Sequence, residues 1–238
     1  MISNSVSNKN WIFKEYDEQD VLFFKENYSL DEITSKLLSI RKIKKENVQT
    51  FLTPSIRNFL PNPKIINDME KSTIRTLQAI SKKNKIGIFG DYDVDGATST
   101  AILGNYFNDI GSNISIYIPD RKTEGYGPTN NGFDKLIKEG SNIIFTVDCG
   151  TMSFDTINTY QKKNYDIIIL DHHQSELKLP NAHSIINPNR FDDKSNLNYL
   201  CAAGVCFMFL VALNMRLKKI KWFEKNNIVE PNLINYLD

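Results

Sequence analysis

Cysteine is scarce in this chain, and its pattern excludes two classes of small scaffold. Cys149, Cys201 and Cys206 are an odd number with no Cys-x-x-Cys pair. They form neither a disulfide framework nor a zinc-ribbon spacing. Long apolar runs are also missing. No stretch reaches 18 apolar residues, and the nearest, Cys201 to Leu213, has the length of a core helix and is too short to span a bilayer. The first ten residues have no apolar segment of the signal-peptide kind, so the chain is read as cytoplasmic, with no membrane partner. Excess charge is absent too: 29 basic against 28 acidic side chains leave +1. That balance excludes a strongly basic, histone-like binder and leaves a local basic groove open.

What remains is a globular composition, 41% hydrophobic and 24% charged over 238 residues. At ~150 residues per domain this is one large domain or one and a half, with enough chain to bury a core unaided. The charge is uneven. Residues 1–85 carry 15 basic and 10 acidic side chains, and residues 86–238 carry 14 and 18. Acid gathered in one region fits bound cations; ordinary surface variation fits the sum equally well.

Two regions differ in pattern. Residues 1–20 are polar around Trp11 and read as a loosely held arm. From Ser29 to Leu60 the pattern is helical, with Ser29 as a cap ahead of Asp31 and Glu32, and a helix ending before Pro54. Pro61-Asn62-Pro63 reads as a turn or linker. Met69, Ile74, Leu77 and Ile80 recur at helical spacing. From Lys85 short β-branched runs, Ile86–Phe89, Ile114–Ile118, Ile143–Val147 and Ile167–Leu170, alternate with helical stretches over Thr98–Asp109, Phe133–Glu139 and Ser153–Lys163. This alternation predicts an α/β fold: a parallel, doubly wound sheet over 85–238, covered on both faces, after a helical lead-in over 1–84. A final helix, Ala202–Leu217, is expected to pack on the sheet.

Polar residues follow each predicted strand: Gly90-Asp91-Tyr92-Asp93-Val94-Asp95-Gly96, then Pro119-Asp120-Arg121, then Asp148-Cys149-Gly150, then Asp171-His172-His173. Ligands of open α/β sheets bind outside the carboxyl ends of the strands, so these groups share the edge where sites form. Asp91, Asp93 and Asp95 lie on one face if extended, or converge in a turn closed by Gly96. Carboxylates plus imidazole suit Mn²⁺ or Mg²⁺, and two such ions ~4 Å apart can share a carboxylate, activate water and clamp a phosphate oxygen. A calcium loop needs a Glu at its twelfth position, where this chain has Ile102. Singly, Asp-Gly is a turn, His-His a surface pair and Asp148 a helix cap; jointly they favour a metal site. His183 is read as structural.

Those segments resemble the DHH phosphoesterase superfamily, and within it the RecJ branch of single-stranded-DNA exonucleases. The first motif carries the likeness, with Asp171-His172-His173 eighty residues further on. Asp148-Cys149-Gly150, Glu124-Gly125-Tyr126-Gly127-Pro128 and Cys201-Ala202-Ala203-Gly204-Val205 add to it, as do the lead-in stretches Phe51–Pro54 and Asp68-Met69. The resemblance implies two divalent ions, Mn²⁺ or Mg²⁺. It implies Asp93 as ligand of one ion, Asp95 and His172 of the other, and Asp148 bridging both. Asp91 would be a further ligand or an orienting group, and His173 would touch the scissile phosphate. Arg121 would meet a phosphate, and Gly125 and Gly127 would shape a loop near the substrate backbone.

The function implied is 5′-to-3′ hydrolysis of single-stranded DNA in repair and recombination, with a single-strand-binding protein or a helicase as partner. The alternatives are a DHH phosphoesterase acting on oligoribonucleotides or cyclic dinucleotides, and a non-catalytic nucleic-acid-binding scaffold. The family places a further ligand Asp in a later strand, in a Gly-Thr-x-x-Asp-like motif, whereas this sequence reaches only Tyr236-Leu237-Asp238. The chain therefore reads as a fragment. On its own it is expected to hydrolyse single-stranded DNA weakly or not at all, and an assay of the purified chain showing full enzymatic rates would overturn that reading.

Overall fold

The computed structural model describes residues 6, 7 and 9–237. They form two compact units that part between Pro61 and Asn62, within the predicted turn.

The first unit is helical: α1 (Glu18–Tyr28), α2 (Glu32–Ile40), α3 (Val48–Leu52) and α4 (Ile56–Phe59). Phe24, Leu38 and Val48 form its small core. Part of the expected polar arm lies outside the described residues, and Trp11 is exposed. The last residues of that arm instead begin α1, whose cap Asp17 accepts from the amides of Gln19 and Asp20. Ser29 is not the cap of α2. It ends α1 in a left-handed conformation, and Asp31 caps α2 by accepting from the Thr34 amide. A carboxylate two residues nearer the helix reaches the free amide that Ser29 cannot.

The second unit runs α5 (Met69–Ser81), β1 (Lys85–Phe89), α6 (Val94–Asp109), β2 (Ile114–Tyr117), α7 (Asn130–Lys138), β3 (Ser141–Val147), α8 (Phe154–Lys162), β4 (Asp166–Leu170), β5 (Ser184–Ile186), α9 (Ala202–Lys219) and α10 (Trp222–Asn226). The strands form one sheet in the order β2-β1-β3-β4-β5, every pairing parallel. The four predicted strands are all present. β5 is a fifth that the sequence pattern does not reveal.

Alternate residues of the strands serve opposite faces, as the two-residue period of a strand requires. Ile143, Phe145, Val147, Ile168 and Leu170 pack with α5, α6 and α9; Ile144, Ile167 and Ile169 pack with α7 and α8. Because α5 packs with the sheet, it belongs to the second unit, although its pattern reads as part of the lead-in. Its inward face is partly small and polar, with Ser72, Thr73 and Thr76 buried beside Met69 and Ile80 while Ile74 is exposed. Among the described residues no helix is long and apolar enough to cross a membrane.

The chain runs outward from β1 to β2 and then returns to β3 on the other side of β1. The resulting switch point opens a crevice beyond the carboxyl ends of β1 and β3. Phe145, at the centre of β3, is fully buried, with its ring centroid 5.6 Å from that of Phe107 and 5.4 Å from that of Phe209. Replacing Phe145 by Ala should cost about 3–5 kcal/mol. Urea unfolding will show this as a lower midpoint with an unchanged slope.

Candidate metal centre

β1 delivers the first group of candidate ligands. Asp91 follows the strand directly and is buried, while Asp93 becomes the cap of α6 by accepting from the Gly96 amide at 2.9 Å. Of the two arrangements open from the sequence, the turn closed by Gly96 is the one formed. A Cβ on Gly96 would lie 2.5 Å from Asp91 Cβ and 2.7 Å from its Cα, so only glycine lets the first turn of α6 sit against Asp91. The Gly96 amide holds the Asp93 carboxyl below its ordinary range. Burial, and then the neighbouring Asp93 charge, push Asp91 up.

β3 delivers Asp148. Its backbone is left-handed, at φ 60°, and its amide donates to Leu170 O. That conformation is open to aspartate and asparagine more readily than to other side chains. Asp148 is 1% exposed, and its Oδ1 accepts no hydrogen bond. Burial, then the Asp95 and Asp93 carboxylates, push its carboxyl up to about 8.

β4 delivers the histidines through Asp171. One oxygen of this buried carboxylate accepts from the amides of His172 (2.7 Å) and His173 (3.1 Å) and lies 2.8 Å from His173 Nδ1; the other accepts from the Thr151 amide at 3.0 Å. Burial alone would raise Asp171, but the bonds from His173 and Thr151 outweigh it and bring the carboxyl down to about 2. Asp171 in turn raises His173. Asn187 secures the same turn, donating to His173 O at 2.9 Å and Thr151 Oγ1 at 3.0 Å, and Asn189 donates to His172 O.

These three loops converge. One ligand atom from each of Asp91, Asp93 and Asp148 lies within 4.8 Å of the others, and so does one from each of Asp148, His172 and His173. Asp148 belongs to both groups. His172 Nε2 is 3.3 Å from Asp148 Oδ1 and 3.5 Å from Asp95 Oδ2. Buried oxygens on Asp91 and Asp148 without a hydrogen bond, in a mixed carboxylate and imidazole set, fit divalent cations. Without a cation, such crowded carboxylates repel one another.

Asp95 sits at the rim of this cluster rather than inside either group. Its two oxygens accept from the Ala202 amide at 2.7 Å and the Ala203 amide at 2.8 Å, at the start of the 18-residue α9. The residue expected as a ligand thus also anchors a helix, where a carboxylate satisfies free amides and complements the helix dipole.

Arg121 is exposed, its guanidinium 5.4 Å from the Tyr92 ring. Gly125 and Gly127 have positive φ, 78° and 86°, and space is open around Gly125. His183 lies elsewhere, 3.5 Å from Asp166 at the start of β4. Cys149 is fully buried, and burial holds its thiol well above the ordinary range. The expected site omits Asp171, Tyr126, Thr151, Asn187 and Asn189. Of these, Asp171 had a signal, as the first residue after a strand.

A raised carboxyl binds its proton more tightly in the folded state, so Asp148 costs stability once pH climbs above about 4, and the cost is complete above about 8. Asp148→Asn keeps the shape and the left-handed backbone. In chelator it should raise the melting temperature at pH 8 and change it little at pH 4, as calorimetry at both pH values will show.

Residues 85–235 match the DHH family, N-terminal domain. The chain is 31% identical over 208 residues to the single-stranded-DNA-specific exonuclease RecJ of Bacillus subtilis, covering 87% of this chain and 26% of that protein. It is 34% identical over 188 residues to RecJ of Escherichia coli, covering 79% and 32%. The chain therefore spans about a quarter to a third of the length of these curated relatives. A crystal structure of exonuclease RecJ bound to manganese superposes with a TM-score of 0.58 at 29% identity, covering 64% of this chain and 38% of that one. RecJ of Thermus thermophilus in complex with Mn²⁺ superposes at 0.67 and 21% identity, covering 87% and 28%, which is a likeness of fold.

Proposed function

The chain belongs to the DHH family, and from that premise we propose that it carries the metal centre of a nuclease that hydrolyses single-stranded DNA from its 5′ end. The observation that carries the proposal is the pair of ligand groups sharing Asp148, with buried oxygens on Asp91 and Asp148 that no hydrogen bond satisfies. The DNA substrate rests on the likeness to the RecJ exonucleases, two of them solved with manganese. Action in repair and recombination, and a single-strand-binding or helicase partner, extend the same reading.

Asp91, Asp93 and Asp148 would hold one ion, and Asp148 with His172 the other, Asp95 standing beside His172. Divalent ions held there would supply an activated water and charge stabilisation on the phosphoryl oxygens. The protein's own part is positioning. Asp171, an acceptor at low protonation, fixes the His173 proton on Nδ1 and leaves Nε2 for a phosphate oxygen or an ion. Asp95 ties α9 to the centre, so the helix start and the ligand loop move together. Arg121, exposed beside the Tyr92 ring, would supply a fork of donors for a terminal phosphate.

Asp93→Asn and His172→Ala should each weaken Mn²⁺ binding at least tenfold, read by titration of the free-ion electron paramagnetic resonance signal. In the longest natural protein that carries this chain, Asp95→Ala should abolish release of nucleotides from a 5′-labelled single strand. No nucleotide release by the unaltered protein would sink the enzymatic reading and favour a binding scaffold, and full release by the variant would remove Asp95 from the reacting centre.

A further inference from the structure

The segment Glu124-Gly125-Tyr126-Gly127 lies beside the centre, and the roles assigned above leave its tyrosine unused. Glu124 pins the segment. Its carboxylate accepts from Tyr117 OH at 2.6 Å, from the Asp120 amide at 3.0 Å, and from Asn131 Nδ2 at 3.2 Å on α7. Two glycines at positive φ then flank one residue, and a left-handed backbone on both sides is what only glycine adopts at low cost. The result is that Tyr126 turns back over the carboxyl ends of β3 and β4.

Its hydroxyl makes two contacts there. It donates to the backbone carbonyl of Asp148 at 2.9 Å, and it lies 3.2 Å from His173 Nδ1. A phenol has one proton, so with that proton on the carbonyl its oxygen accepts from the imidazole N–H shared with Asp171. The Tyr126 and His173 rings meet edge to face, with centroids 5.7 Å apart. Tyr126 is still 54% exposed, so burying this side chain is not the purpose of the arrangement. A single hydroxyl thus joins the residue shared by both ligand groups to one of the histidines.

We propose that Tyr126 is a positioning residue of the metal centre, holding the left-handed backbone of Asp148 and the ring of His173 in register across two strands. This deepens the metal reading above and rests on it. Deleting the hydroxyl removes the hydrogen bond to the Asp148 carbonyl and leaves His173 Nδ1 hydrogen-bonded to Asp171 alone. The ligands themselves stay in place, so the effect is on their preorganisation.

Two measurements on the whole chain test the idea. The first uses no metal: amide hydrogen exchange in chelator. Tyr126→Phe should speed exchange at Asp148 and Thr151 about tenfold, the scale of one lost hydrogen bond, with the sheet intact and the melting temperature lowered by only about 2–4 °C. The second is Mn²⁺ titration, where the same variant should bind about tenfold more weakly, as the loss of an outer partner of a ligand predicts. Gly125→Ala adds a methyl into open space and strains only the backbone, so it should reproduce both changes. Unchanged exchange at 148–151, or a speeding there no larger than that over the rest of the sheet, would overturn the positioning role. So would unaltered Mn²⁺ affinity in Tyr126→Phe. A wild-type chain that binds no Mn²⁺ overturns the metal reading itself, and the exchange pattern, taken without ions, still decides for or against the tie between Asp148 and His173.

Discussion

The carboxylate of Asp148 is buried at the end of the central strand, beside two other aspartates, with one oxygen that takes no hydrogen bond from any of the described residues. Every other feature of the crevice is arranged around it. Its amide is held by β4 and its carbonyl by Tyr126, so its left-handed backbone is fixed from both sides. Asp91 and Asp93 approach it from β1, and His172 from β4. A fold selected for stability alone would place an apolar residue there. Retaining a carboxylate whose proton affinity is raised so far is the mark of a site built for a positive charge.

Asp171 makes the contrast clear. It is as buried as Asp148, at 1% exposure, yet it is pulled toward the ionised form. The difference lies in the hydrogen bonds. Three amides and an imidazole point at Asp171, whereas Asp148 Oδ1 receives none. The same residue type one strand away therefore does opposite work: Asp171 is a satisfied anchor that orients the histidine pair, and Asp148 is left open.

Most of the second unit was legible because its physics is local. Four strands announce themselves as short β-branched runs, and the groups that follow them had to gather at one edge once the sheet was parallel. Asp91, Asp93, Asp95, Asp148, His172 and His173 could be placed at that edge on that ground, and their roles as ligands came from the resemblance. Other features were hidden for identifiable reasons. β5 has three residues, too few for a pattern, and it earns its place by pairing with β4. α1 carries a central apolar cluster, Val21 to Phe24, instead of a clean period. Ile74 fits the helical spacing of α5, but the neighbours of α5 bury small polar side chains instead.

What the sequence determined by itself is the fold class, the edge of the sheet where chemistry gathers, and the residue types that suit divalent ions. These follow from periodicity and from the fixed direction of a parallel sheet. Tertiary structure alone decided which side chain serves which purpose. Asp95 holds the start of α9, 107 residues away; Asp171 holds the histidines and Thr151; Tyr126 reaches Asp148 and His173 across two strands. Such pairings depend on side chains meeting over long separations, and no local pattern encodes which of several equivalent carboxylates will find amides and which will be left bare.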